Sequence, residues 1–369
     1  MKVLQVAHYY GSLGGIERVV YQFCHALKGF CDVEALVSSP DSQTTHSVEE
    51  GIPVTRVARV AHVNRMSICP TFPLWMRKKK PDLVHIHMIN PLAEMSFLLS
   101  GLRCKAVATY HMDLSRQRIL SWFYTPLQRR FLDRVEAITT SSERFARSSP
   151  VLTHYSDKVR ILPYGIAESR FQETEEAHEA ARRLFESIPG KLVLFVGRLT
   201  HYKGLDVLVE AMRHVDATCF IVGSGYLERR LQQLVSCQSL EKKVRICGRV
   251  SDMELCAYYE RADVFVLPSI SRTESYGLTL LEAMSRGTPL VCTELGTGTT
   301  FINQDGKTGF VVPPNDPESL ADAVNRILTD DALRKTFSQN AKERFLACFS
   351  ERTMVERLRS LYEEILGNN

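Results

Sequence analysis

The chain of 369 residues is 44% hydrophobic and 24% charged, which excludes a disordered protein and exceeds one ordinary core, so two domains of similar size are expected. It holds no run of about 18 apolar residues, the length a spanning helix needs, and its ten cysteines stand singly, without zinc-type spacing, as in a reduced cytoplasmic protein. The net charge of +4 is uneven: up to Gly165, 21 Lys and Arg face 13 Asp and Glu, and the remainder is negative, so an anionic partner is expected for the first part.

Residues 3–7, 33–37, 83–87, 106–110 and 137–140 are apolar runs that read as buried strands of a parallel sheet, with helices such as 16–27 and 126–133 between them. The first strand enters a glycine loop, which suits a buried strand and not a signal peptide. Pro163-Tyr164-Gly165 is the natural hinge. A polar helix over 173–186 then opens a second α/β series with strands at 192–196, 218–222, 244–247, 264–267, 290–292 and 309–312. Such alternation predicts two doubly wound α/β domains, 1–165 and 166–351. A last helix, about 352–365 within a 352–369 tail, carries Val355, Leu358, Leu361, Tyr362 and Ile365 at helical spacing and must dock its apolar face.

Ligands of open α/β sheets bind beyond the carboxyl ends of the strands, and the loops there carry the candidate chemistry. Gly14-Gly15, after the first strand and before a helix, can bring backbone N–H groups to a phosphate or a sugar, or can be a plain tight turn. The loop is not a G-x-G-x-x-G, which weakens a dinucleotide reading. His111 ends the 106–110 strand, a place for either a structural or a site histidine. Arg198 and Lys203 follow the 192–196 strand, where two cations can neutralise a diphosphate by charge-assisted hydrogen bonds or can be plain solvated loop charges.

The densest stretch runs from Arg272 to Thr299. Residues 278–286 read as a helix stopped by Gly287-Thr288-Pro289, with Glu274 before it, Gly277, Leu278 and Thr279 at its mouth and Glu282 one turn inside. Eight residues of mostly helical rise span up to ~12 Å, comparable to the reach from a sugar across a diphosphate to a ribose. One carboxylate could then hold sugar hydroxyls, the mouth the diphosphate, and the other the ribose, although Glu is a good helix former and two of them eight apart also arise by chance. Gly296-Thr297-Gly298-Thr299 can add further N–H groups. Trp75 to Lys80, and the run from Ser115 to Arg134 with Ile119, Leu120, Trp122, Phe123 and Tyr124, interleave cations with large apolar residues, as a segment lying on an anionic membrane would, or as a solvated face over ordinary core does. No nucleic-acid module is recognisable.

Seven segments in order, GGIE, PDLVHIH, TYHMD, LPYGI, GRLTHYKG, the Glu-x7-Glu block and NQDGKTGFVVPPNDPESLA, resemble the retaining glycosyltransferases of family 4, and TYHMDLSRQ and TELGTGT resemble bacterial mannosyl- and rhamnosyltransferases of surface-polysaccharide assembly. Ala167 departs from the Asp that relatives commonly carry after the hinge. The resemblance implies the GT-B fold, two Rossmann-like domains facing a central cleft, with the terminal helix crossing back to the first. It implies a nucleotide-sugar donor, GDP-mannose or else a UDP-sugar, held by Arg198, Lys203 and Glu282, with Glu274 and His111 on the transferred sugar and the backbone of Val250 on the base. Gly14 and Gly15 approach the donor from the first domain. No cofactor or metal is implied, and no Asp-x-Asp stands ready to hold one. The acceptor implied is a saccharide or a polyprenyl-diphosphate-linked saccharide at the inner face of the cytoplasmic membrane. A GT-B-fold sugar-nucleotide epimerase and a catalytically silent partner subunit are the alternatives.

Overall fold

The computed structural model describes residues 1–11, 15–63, 66–113, 118–167, 175–186, 188 and 190–367, and the side chains of these except 118–123, 177 and 180. The chain divides into two compact units, Met1–Tyr164 with Glu351–Asn369, and Gly165–Ser350.

The first unit is built on β1 (Lys2–Val6), β2 (Asp32–Ser38), β3 (Thr45–Glu49), β4 (Ile52–Val57), the small hairpin β5 (Ala61–Val63) and β6 (Met66–Ile68), then β7 (Leu83–Met88), β8 (Lys105–Tyr110), β9 (Ala137–Thr140) and β10 (Val159–Ile161). Its main sheet has the order β10-β9-β8-β7-β1-β2-β4-β3, parallel except for β3 against β4. The β3–β4 hairpin turns at Glu50 and Gly51, both at positive φ (51° and 84°), the backbone that matches a two-residue turn to the strand twist. Period-two alternation gives this sheet two unlike faces. Leu4, Val6, Val84, Ile86, Met88, Ala106, Ala108 and Ile138 point into an apolar core completed by Phe72, Met76, Phe97 and Phe131 from the helices. Gln5, His85, His87, Thr109 and Thr139, the residues between them, point the other way and are as completely buried.

That second face is covered by helices Gly15–Leu27 and Glu351–Leu366. Met354, Leu358, Leu361 and Tyr362 of the terminal helix are buried. Burying each such side chain stabilises by roughly 1.5–3 kcal/mol, which is why the chain returns to its first unit.

The second unit comprises β11 (Leu192–Val196), β12 (Thr218–Val222), β13 (Val244–Gly248), β14 (Val264–Leu267), β15 (Leu290–Thr293) and β16 (Gly309–Val312). They form one sheet, β13-β12-β11-β14-β15-β16, parallel at every pairing. This is the Rossmann order, and it reverses between β11 and β14, where the loops leaving the two strands must part and leave a crevice. The polar helix runs Glu175–Phe185, and residue 173 of its predicted start lies outside the described residues.

Candidate active site

At the reversal point of the second sheet the loop after β11 carries Lys203 and the loop after β14 carries Glu274. The first turns at once through Gly197 (φ 156°) and ends in a short 3-10 turn, His201–Lys203, closed by Gly204 in the left-handed region (φ 67°). The two loops are tied by the Ile270 N–H donating to Tyr202 O at 2.8 Å. A Cβ on Gly204 would stand 2.0 Å from Pro268 O, so only glycine lets them close this far.

The result is a buried ion pair. Lys203 Nζ lies 2.5 Å from Glu274 Oε2, with both side chains about nine-tenths covered, and the Ser269 hydroxyl donates to the same oxygen at 3.1 Å. Arg198 takes another course: it is exposed, with Nη2 3.4 Å from the Tyr202 hydroxyl. Of the two cations expected on one diphosphate, one is fixed by a carboxylate and the other reaches outward.

Helix Leu278–Ser285 starts from Gly277 in the left-handed conformation (φ 89°). Beside its mouth the Thr279 hydroxyl oxygen is shielded from solvent and has no hydrogen-bond partner among the described residues, an arrangement that costs free energy unless something else satisfies it. Glu282 is 1% exposed and its Oε2 accepts from the Tyr259 hydroxyl at 2.7 Å. Tyr259, on helix Asp252–Arg261, is therefore a second-unit site neighbour that the sequence did not signal. Half-buried Val250 lies between Gly248 (φ 68°) and the Ser251 cap of the same helix.

Of the stretch Gly296 to Thr299, expected to offer N–H groups, the two glycine amides are turned inward. Gly296 N donates to Glu294 Oε1 at 2.7 Å and Gly298 N to Ser275 O at 2.8 Å. The Thr297 hydroxyl donates to Glu274 O at 2.8 Å. These two amides are engaged inside the protein, and through the Thr297 hydroxyl the loop also braces the Glu274 segment.

In the first unit Gly15 opens helix Gly15–Leu27, and among the described residues no atom beyond its chain neighbours and its own helix backbone lies within 4 Å of where its Cβ would stand. Gly14 lies outside the described residues. His111, 4% exposed, directly follows β8, and both its ring nitrogens are occupied: Nε2 is 3.0 Å from His87 Nδ1, and Nδ1 is 2.8 Å from the Tyr164 hydroxyl. From His87 the contacts run on through Gln5 (2.9 Å) to the Tyr362 hydroxyl (2.9 Å), to His85 (2.5 Å), to Thr109 (2.6 Å) and to Thr139 (2.7 Å). Burial pushes the His85 and His111 imidazoles down to about 3 and His87 well below its ordinary value, so all three are neutral at neutral pH. The alternation V-H-I-H-M at 84–88 was the available signal for this chain, but a strand read only by its apolar run hides it.

Of the two membrane-type segments, Arg77, Lys78 and Lys80 are exposed, Lys79 pairs with Glu34 at 2.7 Å, and half-buried Trp75 lies under Lys78 (4.6 Å to the ring centre). The second segment is helical over Arg118–Arg134, while 115–117 and the side chains of Ile119, Leu120, Trp122 and Phe123 lie outside the described ones. Tyr124 faces inward, its hydroxyl donating to both oxygens of buried Glu94 at 2.6 and 2.7 Å. It belongs to the core and not to a surface. Burial raises the Glu94 carboxyl to about 7 against the hydrogen bonds from Tyr124 and the Asn90 amide. Among the described residues no helix is long and apolar enough to cross a membrane.

Two Rossmann-like units, the second with Lys203 and Glu274 at its reversal point, are the architecture of the GT-B fold. The chain belongs to the family-4-like glycosyltransferases: residues 14–165 match the glycosyl transferase 4-like domain and residues 179–344 the glycosyl transferases group 1 model. It is 31% identical to O-antigen chain mannosyltransferase C of Escherichia coli over 99% of both chains. It is also 31% identical to D-rhamnosyltransferase WbpZ of Pseudomonas aeruginosa over 94% of this chain and 92% of that one. Its fold matches sucrose-phosphate synthase from Thermosynechococcus elongatus over the whole of both chains (TM-score 0.80, 22% identity). It matches Anabaena HepE in complex with UDP over 99% of this chain and all of that one (TM-score 0.81, 16% identity).

Proposed function

We propose that this glycosyltransferase moves mannose from GDP-mannose, with retention and without a metal ion, to a hydroxyl of a saccharide or polyprenyl-diphosphate-linked saccharide. The observation that carries the reading is the Lys203–Glu274 pair beside the mouth of helix Leu278–Ser285. A diphosphate needs positive charge and N–H donors at the leaving group, and transition-state charge is stabilised most by groups already in place. Lys203, Arg198, the mouth at Gly277 and Leu278, and the Thr279 hydroxyl supply them. Glu274 then binds sugar hydroxyls, Glu282 the ribose with Tyr259 holding one of its oxygens, and the Val250 backbone the base. Gly165–Ser350 is thus the donor unit, and the unit carrying Gly15 and His111 serves the acceptor.

Mannose is favoured because the two full-length relatives are named for mannosyl and rhamnosyl transfer. A UDP-sugar is the second reading, favoured by the UDP complexes of a structural neighbour. A thermal-shift panel of GDP- and UDP-sugars tests both. A ligand at 100 times its Kd adds about 2.7 kcal/mol to apparent stability, so GDP-mannose is expected to raise Tm visibly and UDP-sugars to leave it unmoved; the opposite ranking would reverse the donor assignment. Full transfer activity is expected in EDTA.

The enzyme further associates with the inner face of the cytoplasmic membrane. Exposed Arg77, Lys78 and Lys80 adjoin Leu74, 68% exposed, on helix Phe72–Lys78, and Met95 and Leu99 are exposed on the helix Pro91–Leu99 packed beside it. Cations around apolar side chains suit an anionic bilayer. In flotation with anionic liposomes, a variant with Arg77, Lys78 and Lys80 changed to Gln is expected to stay in the pellet while wild type floats. Equal flotation refutes the patch.

A further inference from the structure

The buried chain on the inner face of the first sheet has a direction, and the direction reaches His111. A neutral imidazole offers one donor and one acceptor, and buried polar groups require partners, so each link dictates the next. Gln5 presents its carbonyl Oε1 to His87 Nε2 and its amide Nε2 to the Tyr362 hydroxyl. His87 must therefore carry its proton on Nε2 and accept at Nδ1, where its neighbour is His111 Nε2. His111 must then carry its own proton on Nε2 and accept at Nδ1, where the Tyr164 hydroxyl stands, itself hydrogen-bonded to Ser141.

On the other side Tyr362, receiving from Gln5, donates to His85 Nδ1. His85 donates from Nε2 to Thr109, and Thr109 donates to Thr139. The Thr139 hydroxyl reaches Ala108 O at 3.4 Å, an atom that only accepts. Reversal would require turning the Gln5 amide over, inverting every donor, and withdrawing that last bond. Amide orientation and histidine tautomer follow from the network as a whole, and the sense written here is the one that keeps the Thr139–Ala108 bond.

We propose that Gln5 and Tyr362 are positioning residues for His111: through His87 they hold it as the Nε2–H tautomer, so the ring atom it can turn to a sugar hydroxyl is the acceptor Nδ1, in place of Tyr164. The proposal rests on the reading of His111 as a sugar contact. It gives the terminal helix a chemical task besides its packing, since Tyr362 stands three hydrogen bonds from His111. It also states what His111 can recognise. A hydroxyl that donates is bound, and a sugar lacking that hydroxyl forfeits the bond.

Long-range proton–nitrogen NMR on 15N-histidine-labelled enzyme reads the tautomer directly, without a variant. The expected spectrum of the wild type has a protonated Nε2 and a bare Nδ1 on both His87 and His111; a protonated Nδ1 on His111 overturns the proposal. Tyr362→Phe removes the group that distinguishes the two ends of the Gln5 amide. It should show both His111 tautomers, with kcat reduced about 2- to 10-fold, the worth of one hydrogen bond, and KM for the donor little changed. An unaltered single tautomer in that variant removes Tyr362 from the argument. If His111→Ala transfers sugar as well as wild type while the wild-type spectrum is as expected, the reading of His111 as a sugar contact has failed and the proposal falls with it. A failed tautomer prediction leaves that reading standing, so the two failures are separable.

Discussion

Lys203→Ala is expected to lower transfer by about 10²–10³-fold, the scale on which one group stabilising developing charge acts, and to destabilise the second unit by about 3–5 kcal/mol. The second effect arises because Glu274 would remain buried with its cation gone, and an uncompensated buried charge is what makes breaking such a pair costly. The two effects can be separated. Lys203→Met combined with Glu274→Gln removes both charges and keeps the volumes, so thermal unfolding should return close to wild type while transfer stays lost. Assayed with donor and acceptor saturating, the double variant tests the catalytic claim free of the folding one. If it transferred sugar at the wild-type rate, the pair would be only a strut between two loops.

Gly204→Ala is expected to be as damaging by a wholly steric route. Its φ of 67° costs a residue with a Cβ about 1–2 kcal/mol, and that Cβ would stand 2.0 Å from Pro268 O and 2.9 Å from the Ile270 side chain. Overpacking of this kind adds about 1–3 kcal/mol. The strain falls between the two loops that bring Lys203 to Glu274, so activity should fall together with stability. Gly306→Ala is the matched control: its φ is 68°, and among the described residues no atom beyond its chain neighbours lies within 4 Å of the Cβ position. Urea unfolding should show the backbone cost alone at 306 and a clearly larger shift in midpoint at 204. Equal shifts would mean that the loops give way.

The central strands were legible because strands buried on both faces are written as unbroken apolar runs, and 264–267 and 309–312 coincide with β14 and β16. Strands β3 and β4 were not. Thr45–Glu49 is polar with an exposed face, Pro53 interrupts the apolar pattern of Ile52–Val57, and only the Glu50-Gly51 turn marked the hairpin.

In the candidate site, the residue types beyond the strand ends could be read, but their partners could not. Lys203 and Glu274 are 71 positions apart, and nothing local to either announces that they meet. Tyr362 was counted as one more apolar residue of an amphipathic helix, although its hydroxyl is the part that matters to His85 and Gln5. Gln5 stood as a lone polar residue in an apolar strand. A buried polar side chain needs a partner from elsewhere in the chain, and that rule, applied to Gln5, His85 and His87 together, would have pointed to a network without identifying its members.

The terminal helix also sets an order of assembly. The unit that begins at Met1 is interrupted by the whole of the other and resumes only at Glu351, so Gln5 meets the Tyr362 hydroxyl across 357 positions of sequence. Gly165–Ser350 is continuous and has all its strands before that helix is made. Because domains fold as units while the chain is synthesised, the half started first is finished last. Until Tyr362 arrives, that face of the sheet is covered by helix Gly15–Leu27 alone, and Gln5 and His85 lack their partner hydroxyl, so a nascent chain stalled short of the terminal helix is the form most exposed to water, chaperones and proteases.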